Sequence, residues 1–279
     1  MRVLCAGGVI AGSVSLTFCD RIVDPPLPGD AEQFEPPPVF STWWAMTEAC
    51  SGRTGSLDAV TWYQTSEDLV DPHTHDAVAG YWTSGSNRIV LRATVMLDGA
   101  IVRHEMLHSL LNGGGHPRDE FLGKCGGTVQ CVGTCVNDAG VYPEAPETPV
   151  LVRADAFDIT LDVEPATPSR EIDGGFFSIT VTARNTTAHW ASAAPIAPDV
   201  GPNVTFGYNV SGANGGGSGH ETAFDPSQRI FAPGETKKHV FDFRIGDDAF
   251  GKQLPPGEYS LSAGFSDHWS DPASLTINP

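Results

Sequence analysis

The sequence predicts a two-domain chain in which an α+β domain is followed by an all-β sandwich. In the first half, apolar residues recur at helical spacing in two segments, with short strand-like runs between them. Beyond residue 150 the apolar period becomes two, which is typical of strands with one buried face. A proline-rich stretch at residues 142–149 separates the two patterns and marks the expected boundary.

The length of 279 residues allows one large or two medium domains. We expect a leader at residues 1–19 and a proline-rich linker at residues 20–38. The α+β domain is expected at residues 39–145, and the β-sandwich at residues 150–279. The linker is interpreted as a semi-rigid, extended spacer because prolines favour the polyproline II conformation.

The N-terminus resembles a secretory signal. Arg2 precedes an apolar run at residues 3–18, which is too short to span a bilayer as a mature helix. Cys19 stands where a bacterial lipoprotein cysteine is expected, although Phe18 replaces the small residue of that pattern. We therefore predict export to the periplasm, the cell envelope or the medium, with possible membrane attachment through lipidated Cys19. The alternative is a hydrophobic N-terminal strand.

The first domain is expected to begin with a helix from Phe40 to about Cys50, with Trp43 and Trp44 in the core. Strands are predicted at residues 59–63, 78–82 and 88–91.

The second domain is expected to contain four strands that alternate apolar and polar residues, and residues 211–219, rich in glycine, serine and asparagine, are interpreted as a flexible loop. The four predicted strands lie at residues 159–163, 177–181, 241–245 and 259–265.

A short amphipathic helix at about residues 98–112 carries the most informative motif, which reads His-Glu-X-X-His. Asp98 provides an N-cap, and glycines from residue 113 end the helix. His104 and His108 are four residues apart, so both imidazoles lie on one helix face and can bind one metal ion. Glu105 follows the first histidine, where a carboxylate can act on a water molecule at the metal. A surface helix with two chance histidines is the alternative.

Catalytic zinc usually has three protein ligands and one open position. His116 is the predicted third ligand because the glycines at 113–115 allow the chain to reverse towards the helix. Asp119 and Glu120 remain the alternatives.

The His104–His108 motif resembles the active-site helix of the zincin metallopeptidases. This resemblance implies Zn²⁺, a peptide or protein substrate, and Glu105 as the general base that acts on a metal-activated water. The interval from His108 to His116 is eight residues rather than the six of the metzincins, and no methionine follows. Residues 232–235 and 254–259 resemble turns of immunoglobulin-like domains in bacterial extracellular proteins, which implies an immunoglobulin-like sandwich.

The cysteines agree with export. Cys50, Cys125, Cys131 and Cys135 remain after the leader, and an even number in an exported chain predicts two disulfides with open connectivity. A structural zinc site is the alternative.

A formal net charge of −18 disfavours nucleic acid and anionic membrane surfaces as partners. The leading prediction is an exported zinc-dependent peptidase. One alternative is an envelope-binding module whose sandwich carries the function and whose metal site is structural or inactive. The other is a zinc hydrolase of a non-peptide or cell-wall amide. Oligomeric state and cleavage specificity stay open.

Overall fold

The computed structural model describes residues 24–71, 75–131, 150–151, 156–171, 174–192, 204–213, 215–222, 230–245, 254–265 and 268–279. The described chain is predominantly β, with two α-helices and one π-helical segment among seventeen strands. The leader, Cys19 and Cys135 lie outside the described residues, as do the predicted linker at 142–149 and most of the expected domain boundary.

The N-terminal part is built on a mixed four-stranded sheet in the order β1-β2-β6-β5. β2 and β6 are parallel, the other two pairs are antiparallel, and β3 and β4 form a separate hairpin. The predicted strand at 88–91 is confirmed, the one predicted at 59–63 begins only at residue 61, and the one predicted at 78–82 is divided between two strands of different sheets. The six strands are β1 (Glu32–Gln33), β2 (Thr61–Thr65), β3 (Leu69–Val70), β4 (Ala77–Val78), β5 (Gly80–Thr83) and β6 (Arg88–Arg92).

Helix α1 (Val39–Ser51) forms because Phe40, Trp43, Trp44 and Thr47 recur on one face, which is buried against the sheet. Gly52 ends the helix in the left-handed conformation, with φ of 66°. Each large apolar side chain buried in this way contributes about 1.5–3 kcal/mol. The predicted helix and the core position of both tryptophans are confirmed.

Helix α2 (Gly99–Leu111) begins and ends where its local sequence requires. The Asp98 carboxylate accepts hydrogen bonds from the Ala100 and Ile101 amides at 3.1 and 3.3 Å. Asn112 closes the helix with φ of 51°. Val102 and Met106 are completely buried, so this face of the helix is fixed to the core and its histidine-bearing face is held in place.

A disulfide joins Cys50, at the end of α1, to Cys125, which follows the π-helical segment Asp119–Lys124. This pairing selects one possibility from those that the sequence left open. Cys131 is also disulfide-bonded. A bridge that closes a loop of 75 residues typically stabilises a fold by about 2–4 kcal/mol. It packs with Leu107 and Phe121 in a small apolar cluster below α2.

The C-terminal part contains three sheets. Their orders are β13-β10-β7, β14-β9-β8 and β12-β11-β15-β16, and β17 also pairs with β15. The four predicted strands are confirmed. The strands are β7 (Val150–Leu151), β8 (Phe157–Glu164), β9 (Phe176–Asn185), β10 (Ala191–Ser192), β11 (Val204–Gly212), β12 (Gly215–Thr222), β13 (Ile230–Phe231), β14 (Thr236–Arg244), β15 (Gly257–Phe265), β16 (His268–Trp269) and β17 (Ala273–Ile277).

The glycine-rich stretch at residues 211–219 differs from the predicted flexible loop. It forms the tip of the antiparallel β11–β12 hairpin, in which Ser211 pairs with Gly216 and Gly212 with Gly215. Glycine lowers strand propensity, but here the pairing with β12 and β15 outweighs that local preference.

The expected fold class, an α+β zincin-like domain followed by an all-β immunoglobulin-like sandwich, is wrong. The described residues are predominantly β, and their strands form five sheets of two to five strands each. Apolar periodicity identifies a strand, but the choice of its neighbours depends on long-range contacts that periodicity does not encode.

The N-terminal and C-terminal parts pack against each other. Phe176 of β9 joins the core cluster of α1 and meets the Trp43 ring edge-on at 6.0 Å. The Val240 amide of β14 donates to the Gly127 carbonyl at 2.8 Å. The two parts therefore share core and hydrogen bonds.

The described part of the predicted linker, residues 24–38, packs against the N-terminal sheet. Its strand β1 pairs with β2, and Leu27 packs on the apolar cluster of Tyr81 and Val90. The Asp24 carboxylate accepts from the Gly85 amide at 3.0 Å. In the part of the chain that the structure describes, no helix is long and apolar enough to cross a membrane.

Candidate metal centre

Three histidines converge beside α2 and lie close enough to one another to hold a metal ion. His104 and His108 project from one face of the helix, and His116 returns from the loop that follows it. Their potential ligand atoms all lie within 4.8 Å of one another. The structure therefore brings together the three residues that the sequence singled out.

Backbone carbonyls fix the orientation of two of the rings. The Nδ1 of His104 lies 2.6 Å from the Gln130 carbonyl oxygen, and the Nδ1 of His108 lies 2.8 Å from that of Gly113. A carbonyl oxygen only accepts, so each Nδ1 carries the proton and donates it. In each ring this leaves the Nε2 lone pair free to bind a metal.

The spacing of the Nε2 atoms matches that of metal ligands. The Nε2 of His104 lies 3.1 Å from that of His108 and 3.2 Å from that of His116. Nitrogens about 2.0–2.1 Å from one tetrahedral zinc would lie about 3.3–3.4 Å apart, within a few tenths of an ångström of these distances. The lone pairs of His104 and His108 repel at this distance unless a cation or proton lies between them, so the site fits a metal.

Burial favours the neutral, metal-binding form of the two helix histidines. Loss of solvent lowers the pKa of His108 to about 4, with a smaller opposing effect from its bond to Gly113. Burial, together with the neighbouring histidines, holds the pKa of His104 well below its usual value. Protons therefore compete weakly for these ligands near neutral pH.

Aromatic side chains support the three imidazoles. The completely buried Phe121 ring has its centroid 4.9–5.0 Å from all three histidine rings. The Trp82 indole lies parallel to the His108 ring, with centroids 6.5 Å apart. These apolar rings pack against one side of the histidine cluster, where they limit its movement and exclude water.

Glu105 is buried beside this cluster, only 5% exposed. Glu105 lies three residues before His108, so these two side chains are neighbours on the helix surface. Gly80 of β5 gives it room, because a Cβ there would lie 3.2 Å from the Glu105 Cγ. Burial, with a smaller contribution from the charge of Asp71, raises the pKa of Glu105 to about 8.

The alternative third ligands lie outside the histidine group. The Glu120 carboxylate pairs with Lys124 at 2.9 Å and with Arg53 at 3.6 Å. Asp119 begins the π-helical segment and does not belong to the group either. His75 is exposed, and His73 lies outside the described residues.

Asn87 is a positioning residue that sequence analysis missed. Its Oδ1 accepts hydrogen bonds from the Trp82 indole at 2.7 Å and from the Ser109 hydroxyl at 2.8 Å. It thereby ties the β5–β6 turn to α2, one residue beyond His108. The only sequence signal was the turn-forming stretch before β6, which gives no indication of these partners.

We expect Asn87→Ala to lower the free energy of unfolding by about 1–3 kcal/mol, because the Trp82 donor loses its acceptor. Chemical denaturation of the metal-free protein measures this loss. Asn87→Asp is the matched control, since aspartate keeps an acceptor oxygen and tolerates the positive φ of 47° at this turn. Equal losses in the two variants would show that the shared acceptor is unimportant.

Comparisons with known proteins identify no family for this chain. No family model matches it, and no curated protein matches it by sequence. The solved structures with partial similarity include Pseudomonas fluorescens alkylpurine DNA glycosylase AlkC bound to DNA containing an abasic site analog. It aligns over 44% of this chain and 31% of its own at 14% identity, with a TM-score of 0.31.

Two β-glucosidases show similar scores. The Listeria innocua enzyme in complex with glucose aligns over 44% of this chain and 16% of its own, at 12% identity and a TM-score of 0.28. DesR from Streptomyces venezuelae in complex with D-glucose aligns over 43% and 15%, at 15% identity and a TM-score of 0.26. The aligned region spans about a third or less of each of these chains. Such scores do not establish a shared fold.

The resemblance to zincins with an immunoglobulin-like domain is therefore wrong as an assignment of family. No family model supports it, and the described chain is predominantly β. The His104–His108 motif fixes the geometry of little more than one helical turn. That local geometry can be carried by unrelated folds.

Proposed function

We propose that this protein is an exported zinc-dependent hydrolase of peptide bonds, with His104, His108 and His116 as metal ligands and Glu105 as general base. The observation that carries the proposal is the convergence of three Nε2 atoms, two of them on rings whose Nδ1 protons are committed to backbone carbonyls. Three imidazoles with an open fourth position suit zinc better than the harder cations, which prefer oxygen ligands.

When bound, zinc supplies Lewis-acid chemistry that lowers the pKa of water towards neutrality. Glu105 accepts the proton of the attacking water on a carboxylate oxygen, while the water oxygen bonds to the carbonyl carbon. Glu105 then delivers that proton to the leaving amine nitrogen as the C–N bond breaks. A nearby cation favours the carboxylate form of Glu105 and offsets the effect of burial on its pKa.

A peptide substrate is supported by the position of β5 next to α2. β5 is the last strand of its sheet and pairs on one side with β6, while its other edge pairs with no strand of the described residues. Such an edge can hydrogen-bond an extended peptide as an added strand.

An exported location for the protein is supported by the Cys50–Cys125 disulfide, because such bonds persist mainly in oxidising compartments. The apolar N-terminal sequence is consistent with the same destination.

Metal removal tests the proposal. We expect the mature chain to contain about one zinc per molecule and to hydrolyse casein. Dialysis against a chelator should abolish both, and added zinc should restore them. A metal-free wild type, or hydrolysis unaffected by chelation, would contradict the proposal. Cleavage of a cell-wall amide but not of casein would retain the hydrolase and change its substrate.

A further inference from the structure

One side chain connects the metal-binding helix to the C-terminal sheets. Arg103, the residue before His104, is completely buried. Its guanidinium donates to both carboxylate oxygens of Asp242 on β14, at 3.0 and 2.9 Å, and its Nε donates to the Thr128 carbonyl at 2.7 Å. The ring of Trp43 lies 5.9 Å from the guanidinium carbon.

The Asp242 carboxylate is itself held by a neighbouring strand. The Ser178 hydroxyl of β9 donates to it at 2.6 Å. A guanidinium buried to this degree needs its partner, because removing one member of a buried pair leaves an uncompensated charge. The start of α2 is therefore fixed in the folded protein to a strand 139 residues away in sequence.

A second route joins the same strand to the imidazole of His104. The Val240 amide of β14 donates to Gly127, and Thr128 accepts from Arg103. Two residues later the Gln130 amide donates to Ala100 in the first turn of α2, at 3.0 Å. The Gln130 carbonyl then accepts the Nδ1 proton of His104.

Two glycines permit this approach. A Cβ at Gly127, whose φ is 75°, would overlap the Lys238 carbonyl of β14. A Cβ at Gly99 would lie 2.5 Å from Asp242 Oδ2 and 2.6 Å from Arg103 Nη1. Side chains at these positions would therefore push β14 away from the helix.

We propose that Arg103 and Asp242 form a positioning pair through which the C-terminal sheets set the orientation of His104 for metal binding. The C-terminal part is then integral to the metal centre rather than a separately acting module. The inference rests on the proposed function in one respect, namely that the three histidines bind a metal. Groups that orient a metal-binding histidine typically change metal affinity by about 10–100-fold when they are removed.

The test uses the full-length chain and measures zinc affinity by chelator competition, with the visible spectrum of the Co²⁺ form as a second readout. Asp242→Asn is expected to weaken zinc binding by about 10–100-fold and to alter the Co²⁺ spectrum. Ser178→Ala keeps the ion pair but removes the hydrogen bond from the Ser178 hydroxyl to Asp242. It is expected to change zinc affinity and the Co²⁺ spectrum in the same direction as Asp242→Asn, but by less.

Val181→Ala is the matched control, because it removes completely buried methyl groups from the same strand as Ser178 without touching the pair. It should lower thermal stability and leave affinity and spectrum unchanged. Folded Asp242→Asn with wild-type affinity and spectrum would overturn the inference, as would an equal loss in Val181→Ala. If Asp242→Asn does not fold, a Ser178→Ala variant with wild-type zinc affinity and Co²⁺ spectrum overturns the inference. Wild-type protein that binds no metal overturns both this inference and the proposed function.

Discussion

Exchange of Glu105 for glutamine is expected to lower kcat/KM for peptide hydrolysis by about 10²- to 10⁴-fold while leaving the metal in place. The amide has the shape of the carboxyl group but cannot accept a proton from water. Glu105 is not one of the grouped ligands, so metal content should not change. Parallel assays of casein cleavage and bound zinc measure the two effects.

Stability serves as a further check on Glu105→Gln. A raised carboxyl pKa means that the metal-free folded chain keeps a proton that the unfolded chain loses, so stability falls as pH rises from about 4.5 towards about 8. Glutamine removes this dependence, and the metal-free variant should be at least as stable as the wild type above pH 8.

The exposed Glu258→Gln is the control for loss of a negative charge and should behave as wild type. Full activity in Glu105→Gln, or loss of its metal, would contradict the role of Glu105 as general base.

Removal of His108 is expected to have a comparably large effect, on metal binding itself. Apparent binding energies of structural zinc are about 10–16 kcal/mol, so one ligand of three or four accounts for about 3–5 kcal/mol. His108→Ala should then weaken zinc binding by about 10²- to 10⁴-fold. Chelator competition measures the loss.

His116→Ala distinguishes the alternatives for the third ligand. It should weaken zinc binding as His108→Ala does, whereas Glu120→Gln should not, because Glu120 pairs with Lys124 and Arg53. The exposed His189→Ala controls for histidine content. If Glu120→Gln loses zinc and His116→Ala retains it, the third ligand is the glutamate.

Local sequence rules predict what depends on a few neighbouring residues. The capping side chain of Asp98 and the glycines after Asn112 locate the ends of α2, and the four-residue interval places His104 and His108 together. The return of His116 follows from the flexible chain between it and the helix. Apolar periodicity also predicts the long strands β8, β9, β14 and β15, but not the glycine-rich pairing of β11 with β12.

The same local rules do not predict contacts between residues that are far apart in sequence. The fold class could not be predicted because strand pairing, and the packing of β14 on α2, join residues far apart in sequence. Phe121 was missed because a buried phenylalanine in a π-helical segment carries no signal of which rings it supports. Arg103 was missed because its partner, Asp242, follows 139 residues later.

The close crossing of β14 over the start of α2 also provides a way to recognise distant relatives. Any homologue that inherits this crossing must keep glycine at positions 99 and 127, because neither place has room for a side chain. Arginine at 103 and aspartate at 242 should be inherited together, since loss of either residue leaves the other without its ion-pair partner. Evolutionary descent of this architecture is thus recorded in four positions between residues 99 and 242 rather than in the short histidine motif alone.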